Sequence, residues 1–397
     1  MRLSHLFAPR KKLTIDEVLR RLDSWPTTSS GAVVTEQTAL AQATVYSCVK
    51  ILSESIASLP LGLYRKVSEK TTQQVLTHDA LDVVAAPNAW MTQHELVQFW
   101  VTHQELRGNA YSFKARAGGR VKEILPLHPS AVSVRQNPDW SIVYTVGGEK
   151  GAGGEYGPDR VMHLRNFGSE SFVGLSTIGL HREAIGLAMQ TEKHGAVLFK
   201  NGAQMGAILE APSALSDQAY ERLKKSLEEE HGGVVNAHKS LILEEGLKAS
   251  RIGMTNEDSQ FLETRRFQKQ EIAAIFGVPL FLLNDTEKST TWGSGLEQIG
   301  RAFVNFTLKP RLSRLTQVLG RELLTREERR DHFFAFDTDE FTLGTIKERF
   351  EAWASGITNG VISPNEARAW EKLNPRAGGD EYLQPLNLGA SGAPAKE

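Results

Sequence analysis

The acidic run "DTDE", Asp337 to Glu340, is the densest set of oxygen donors in the chain. Such carboxylates could hold magnesium and activate water on a phosphodiester, but only with further acids converging from elsewhere in the fold. Standing directly after strand-like "HFFAF", the run reads as a solvated loop. His231 and His238 flank "GGVVNA" without an acidic or cysteine partner, which is more the pattern of surface histidines than of a metal site. Arg265, Arg266 and Lys269 have the charge to meet phosphate, yet Glu263 and Glu271 on the same helical stretch offer local ion pairs. "GSGLEQ" lacks the Lys-Ser/Thr pair of a phosphate loop, and no HExxH or CxxC occurs. "GLSTIG" around Ser176 lacks the spacing of a nucleophile elbow and reads as a helix start. His103 shares a helix with Leu96, Phe99 and Trp100 and reads as a helix-face histidine rather than a metal ligand. The expectation is a chain with no catalytic residue, no metal and no cofactor.

Composition narrows the classes further. The chain has 397 residues, 40% hydrophobic and 23% charged, enough for a packed core of more than one domain. Lys and Arg total 46 against 47 Asp and Glu, a formal charge of −1. Tight nucleic-acid binders carry a basic surplus, because neutralised phosphates drive their affinity. This balance argues against gripping DNA, though not against a surface that DNA passes. Cys48 is the single cysteine, so no intramolecular disulfide forms, which fits a reducing compartment. It reads as a small core hydrophobe. No stretch approaches the roughly 18 consecutive apolar residues of a membrane span.

The elements that must position these residues can be read from periodicity and punctuation. A capping box "TIDE" starts a short helix in an N-terminal arm, and "SWPTTSSG" reads as a flexible link. Val45, Val49, Leu52 and Ile56 form one stripe of a helix over 38–58, ended by Pro60. "LPLGLYRK" is a strand, and "TQHE" caps the helix carrying His103. A β meander follows through "AYSFKARAGGRVKEILPL", "AVSVRQNPDWSIVYTVGG" and "RVMHLRNF", with no βαβ unit. Ile178 to Lys200 is helical, Ala207 to Glu210 a short strand, and Ser216 caps a charged helix. "SLILEEGLKASRI" is strand-like, and a second long helix runs through "EDSQFLETRRFQKQEIAAIFG". Gly277 and Pro279 stop it before the polar stretch "NDTEKSTTWGSG". Leu296, Ile299, Phe303 and Phe306, then Leu312, Leu315, Leu319 and Leu323, form a helical stripe that Pro310 should kink. "SPNE" caps a C-terminal helix. These helices carry more apolar residues than one thin subunit buries, as a partner surface would.

The segments "TVYSCVKILSESIASLPLGLY", "APNAWMTQHEL" with "LRGNAYSF", "LPLHPSAV", "FKNGAQMGAIL", "IFGVPLFLL", "LEQIGRAFVNFTLKPRL" and "GVISPNEARAW" occur in an order that resembles the portal proteins of tailed bacteriophages, the smaller long-tailed-phage class. The resemblance covers about 37–375. It implies an α+β, mainly helical portal fold: a ring, normally of twelve subunits, at one capsid vertex. Double-stranded DNA passes through its channel, and the terminase packaging motor, a head–tail adaptor and the major capsid protein are its partners, in the virion and in the host cytoplasm during assembly. Carried onto this chain it implies an arm over 1–36, a wing over 37–177 and a first stem helix over 178–205. A clip follows over 206–254, a second stem helix over 255–279 and a channel loop over 280–295. The channel helix and a wing strand take 296–344, a crown 345–376 and a disordered tail 377–397.

On this reading Asn284, Asp285, Glu287, Lys288, Thr290 and Trp292 belong to a loop in a wet lumen. Trp292 departs from the small or polar residue expected there; it either packs back on the channel helix, the favoured placement, or narrows the lumen. Lys224, Glu228, Glu229 and Glu230 are expected on the clip surface that meets motor and adaptor. Leu180, Ile185, Leu262 and Phe267 are expected to bury between stem helices of one or neighbouring subunits. Two other readings stay open at this point: a magnesium-dependent packaging nuclease using "DTDE", and a head–tail adaptor or assembly module. The missing phosphate loop weighs against a motor subunit, and the length and clip-like insert weigh against a small adaptor.

Overall fold

The structure, a computed structural model, describes residues 27–69, 71–147, 153–168, 172–200, 256–285, 294–338, 346–371 and 373–383, with only isolated pieces between 201 and 255. It divides into a unit over 1–336 and a smaller one over 337–397.

The larger unit opens with α1 (Glu36–Ala41) and α2 (Ala43–Ala57). The single helix expected here is broken at Gln42, whose extended backbone and side-chain carbonyl, accepting from the Val45 N–H, make it the N-cap of α2. The apolar stripe holds: Val45, Val49, Leu52 and Ile56 are all buried. Burial also pushes the Cys48 thiol up to about 12, as expected of a core residue. The link before α1 is packed rather than free. Thr28 is buried against Gly186, and Ser29 N–H donates to the Glu183 carboxylate at 3.0 Å. The "TIDE" helix lies outside the described residues.

β1 (Leu61–Lys66) is central in a sheet with β2 (Thr72–Val75) and β11 (His332–Phe336), all antiparallel. Leu63 pairs with Phe334, both buried, so the C-terminal end of this unit closes on its beginning. α3 (Asp79–Ala85) and β2 were not evident from periodicity. α4 (Gln93–Arg107) starts at the expected capping box and ends at Gly108, whose φ of 73° is left-handed. A side chain at Gly108 would meet the Leu175 carbonyl at 2.1 Å, so only glycine fits.

The meander forms two antiparallel sheets among the described residues. One is β4 (Arg120–Leu127), β3 (Asn109–Ala117) and β8 (Val161–Arg165); the other is β5 (Val132–Gln136), β6 (Ile142–Val146) and β7 (Gly154–Tyr156). Trp100 of α4 is fully buried against the first sheet and donates its indole N–H to Ser112 Oγ at 2.8 Å.

α5 (Thr177–Leu180) and α6 (Arg182–Lys200) replace the one helix expected from Ile178, with His181 between them outside helical geometry. α7 (Asn256–Phe276) runs antiparallel to α6: Gln268 Nε2 donates to Thr191 Oγ1 at 2.9 Å, and Phe261 meets His194 edge-on at 5.6 Å. Beyond them β9 (Ile208–Glu210) pairs antiparallel with β10 (Lys248–Ser250).

The last long helix is α8 (Ser294–Ala302), a π-helical segment (Phe303–Leu308) and α9 (Lys309–Leu323). Lys309 N–H reaches back to the Val304 carbonyl, five residues earlier. A wider turn just before Pro310 accommodates a ring that lacks a donor and would crowd the carbonyl four residues back. It also moves the apolar stripe. Periodicity placed Phe306 with Phe303, but Phe303, Val304, Thr307 and Leu308 are buried and Phe306 is 81% exposed. Leu312, Leu315, Leu319 and Leu323 are buried as expected.

The smaller unit holds α10 (Ile346–Thr358) and α11 (Pro364–Trp370). Ser363 and Glu366 form the expected capping box. Arg349 grips Glu371 through two hydrogen bonds of 2.9 and 2.8 Å, and Trp353 stacks on Trp370 at 4.4 Å.

Candidate functional site

α7 stops at a tightly held junction, where the chain enters the polar stretch. Phe276 is buried and Gly277 takes φ 71°, which ends α7. A Cβ on Gly277 would meet Thr307 Oγ1 at 3.1 Å. Thr307 Oγ1 donates to the Gly277 carbonyl at 2.8 Å, which fastens the π segment to the end of α7.

Arg311 completes the junction. It donates to both oxygens of Glu105, at 2.7 and 2.9 Å, to the Phe276 carbonyl at 3.2 Å and to the Thr307 carbonyl at 2.9 Å. Glu105 on α4 is only 2% exposed. One guanidinium therefore joins three helices, neutralises a buried carboxylate and occupies carbonyls that a helix end and a π turn leave free. Sequence reasoning missed Glu105, Thr307 and Arg311. A charged residue inside the apolar face of α4 was a signal that it needs a partner, but not which one.

After Pro279, Leu280–Leu283 form a 3-10 turn, and Asn284 is exposed with φ 56°. Asp285 turns back onto α7, 3.2 Å from Lys269 Nζ and 3.5 Å from Arg266. Burial pushes its carboxyl up, but these two cations outweigh that and hold it below the usual range. So Arg266 and Lys269 clamp the root of the loop. Glu287, Lys288, Thr290 and Trp292 lie outside the described residues, as do Lys224, Glu228, Glu229 and Glu230 of the expected clip surface.

Of the expected stem residues, Ile185 is fully buried within the subunit. Leu180, Leu262 and Phe267 are exposed in the single chain, together with Leu187 and Val197. These unpartnered apolar side chains lie on α5, α6 and α7.

Lys114 is wholly buried and ion-paired with Glu322, and it donates to the Pro158 carbonyl at 2.7 Å. Burial lowers its pKa, and Glu322 opposes that. Glu36, His103 and His128 are the one group of three or more potential metal ligands among the described residues. Asp337 is not in it, and Asp339 and Glu340 lie outside the described residues.

A family model described as "Phage portal protein" matches residues 43–372. The chain is 36% identical over 375 residues to a probable portal protein of Streptomyces phage phiC31, covering 92% of this chain and 82% of that one. It is 29% identical to the portal protein of Enterobacteria phage HK97, covering 91% and 87%. The fold is similar to a chain in the neck of an empty gene transfer agent particle solved with C6 symmetry, at TM-score 0.63 and 24% identity, covering 88% and 98%. It is also similar to an HK97-family phage portal protein from Corynebacterium diphtheriae, at TM-score 0.54 and 17% identity, covering 77% and 96%. The matched span contains the helix pair, the Gly277 junction and the π-interrupted helix, and on that ground the chain belongs to the phage portal protein family.

Proposed function

We propose that the chain is the subunit of a ring at one capsid vertex, a channel for packaging and ejecting double-stranded DNA without chemistry of its own. In this reading α6 and α7 are the stem and the residues between them the clip, which faces the packaging motor during filling and the tail adaptor afterwards. The polar stretch after Asp285 is the loop at the lumen, and α8 through α9 the helix behind it. The observation that carries the reading is the set of exposed apolar side chains on α5, α6 and α7, which a neighbouring subunit would cover in a closed ring. Portal proteins are generally structural, and no convergent acid site supports the nuclease alternative among the described residues.

The test is the mass of the purified full chain in solution together with an electron micrograph. Ring-shaped particles at a closed multiple of 43.9 kDa are expected. A chain that remains monomeric at every concentration overturns the ring, and magnesium-dependent cleavage of duplex DNA that tracks the protein peak overturns the absence of chemistry.

A further inference from the structure

Three elements bring Glu36, His103 and His128 together: the first residue of α1, the third turn of α4 and the residue that follows β4. Each offers one donor atom, and these atoms lie within 4.8 Å of one another. Glu36 Oε1 is 3.5 Å from His103 Nδ1. Donors bound to zinc at roughly 2.0–2.1 Å in a tetrahedron stand about 3.3–3.4 Å apart. This pair is therefore near the spacing that an ion between them would impose.

His103 is 8% exposed, and its Nδ1 is a buried nitrogen with no hydrogen bond. Leaving such an atom empty costs stability, so each instance in a folded chain calls for an explanation. The neighbours are those that orient metal ligands from behind. Arg107 Nε donates to Glu36 Oε2 at 2.6 Å, which fixes the carboxylate and leaves Oε1 for an ion. Ser130 N–H donates to His128 Nδ1 at 3.3 Å, and Ser130 Oγ lies 2.6 Å from the same nitrogen, so the ring is held in place from one side. Phe99 packs edge-on against the His103 ring at 4.5 Å, and His128 does so at 4.9 Å.

We propose that Glu36, His103 and His128 form a binding site for a divalent transition metal of the zinc class. Two imidazoles with one carboxylate suit zinc, whereas magnesium and calcium favour oxygen shells. Three protein ligands leave a fourth position open, and the exposure of His128 gives it to water. The ion ties the start of α1 to α4 and to the exit of β4, so it pins the segment ahead of the first long helix to the wing. This site stands on its own geometry and does not depend on the channel reading.

The experiment strips the purified full chain with a chelator, reloads it with zinc, removes free ion by dialysis, and measures bound zinc and the unfolding temperature. Wild type and His94→Ala, which removes an exposed histidine on the same helix, are expected to retain one zinc per chain and to gain stability from it. His128→Ala and Glu36→Gln are expected to lose at least about tenfold in zinc affinity, by analogy with losses seen at supporting ligands. They are also expected to lose the zinc-dependent gain in unfolding temperature. His128 is exposed, so its variant tests the site without opening the core; unfolding of the metal-free variant alongside metal-free wild type verifies that it is folded. Cobalt in place of zinc should give the strong visible absorption of a four-coordinate site in wild type alone of these two. Equal zinc retention in wild type and His128→Ala, or no stoichiometric retention in wild type, overturns the proposal.

Discussion

Glu105 and Arg311 are separated by 206 residues and meet inside the unit. Breaking a buried ion pair from one side leaves a charge without a partner, which costs about 3–5 kcal/mol. Glu105→Ala should therefore destabilise the fold by that order in denaturant unfolding, and Glu105→Met with Arg311→Met should recover part of the loss. If both variants unfold with wild type, the junction is not held by this pair. A second cluster responds to pH. Glu328 accepts from Arg120 at 2.7 and 3.1 Å and from the Thr325 N–H at 2.8 Å, and lies 3.3 Å from His78 Nε2. Burial pushes its carboxyl up, but Arg120, Thr325 and His78 outweigh this and hold it at about 2, below an ordinary 4.5. A carboxylate with a lower pKa in the folded chain adds stability above its unfolded value and loses it as pH falls through its folded one. Between pH 4.5 and 2 the difference in unfolding temperature between wild type and Glu328→Gln should shrink. A constant difference across that window would show that Glu328 is not the titrating link. Neither cluster was legible in the sequence, because residue types reveal that a buried charge needs a partner, while only the fold brings the partner in.

Elements were legible where local chemistry alone decides them. The boxes at Thr92 and Ser363 work because cap and reciprocal residue are neighbours in the chain, and both stand in the structure. The stripe Leu312, Leu315, Leu319 and Leu323 survives because nothing interrupts α-helical spacing there. Gln42 was missed because glutamine is a rare cap, and Phe306 was misplaced because a π turn adds a residue that periodicity does not count. β2 was missed because "TQQV" is mostly polar and exposed, an edge strand held by its pairing with β1. At the expected stem, sequence and structure meet without closing: Phe267 is 64% exposed on α7 although its type suits burial. Covering one such side chain is worth about 1.5–3 kcal/mol, and a ring repeats the contact at every interface. Phe267→Asp should therefore abolish rings while leaving the monomer's unfolding temperature near that of wild-type monomer. Normal rings from this variant would remove α7 from the subunit interface.

At the scale of the whole molecule the question is how a chain of balanced charge serves as a conduit for a polyanion. Each phosphate that a protein neutralises adds roughly 0.9 to the slope of affinity against salt, so a lumen ringed by cations would hold DNA rather than pass it. The formal charge of −1 avoids that across the chain, and the loop repeats it locally: Asp285 and Glu287 stand beside Lys288. The structure adds that Asp285 is drawn back onto Arg266 and Lys269, so two cations of α7 are occupied at the root of the loop. The proposed channel loop is thereby fixed at its start. On the proposed reading such a loop would touch DNA weakly and yield as duplex passes. Deleting Thr286 to Thr291 leaves the Asp285 clamp, the Gly277 junction and the exposed apolar side chains of α5, α6 and α7 in place, so rings should still form under the microscope. Packaged DNA per capsid, or its retention after filling, should fall. Rings that fill and retain DNA normally without those residues would show that the loop does no work on DNA, and the weak contact with the duplex would then have to come from another part of the ring.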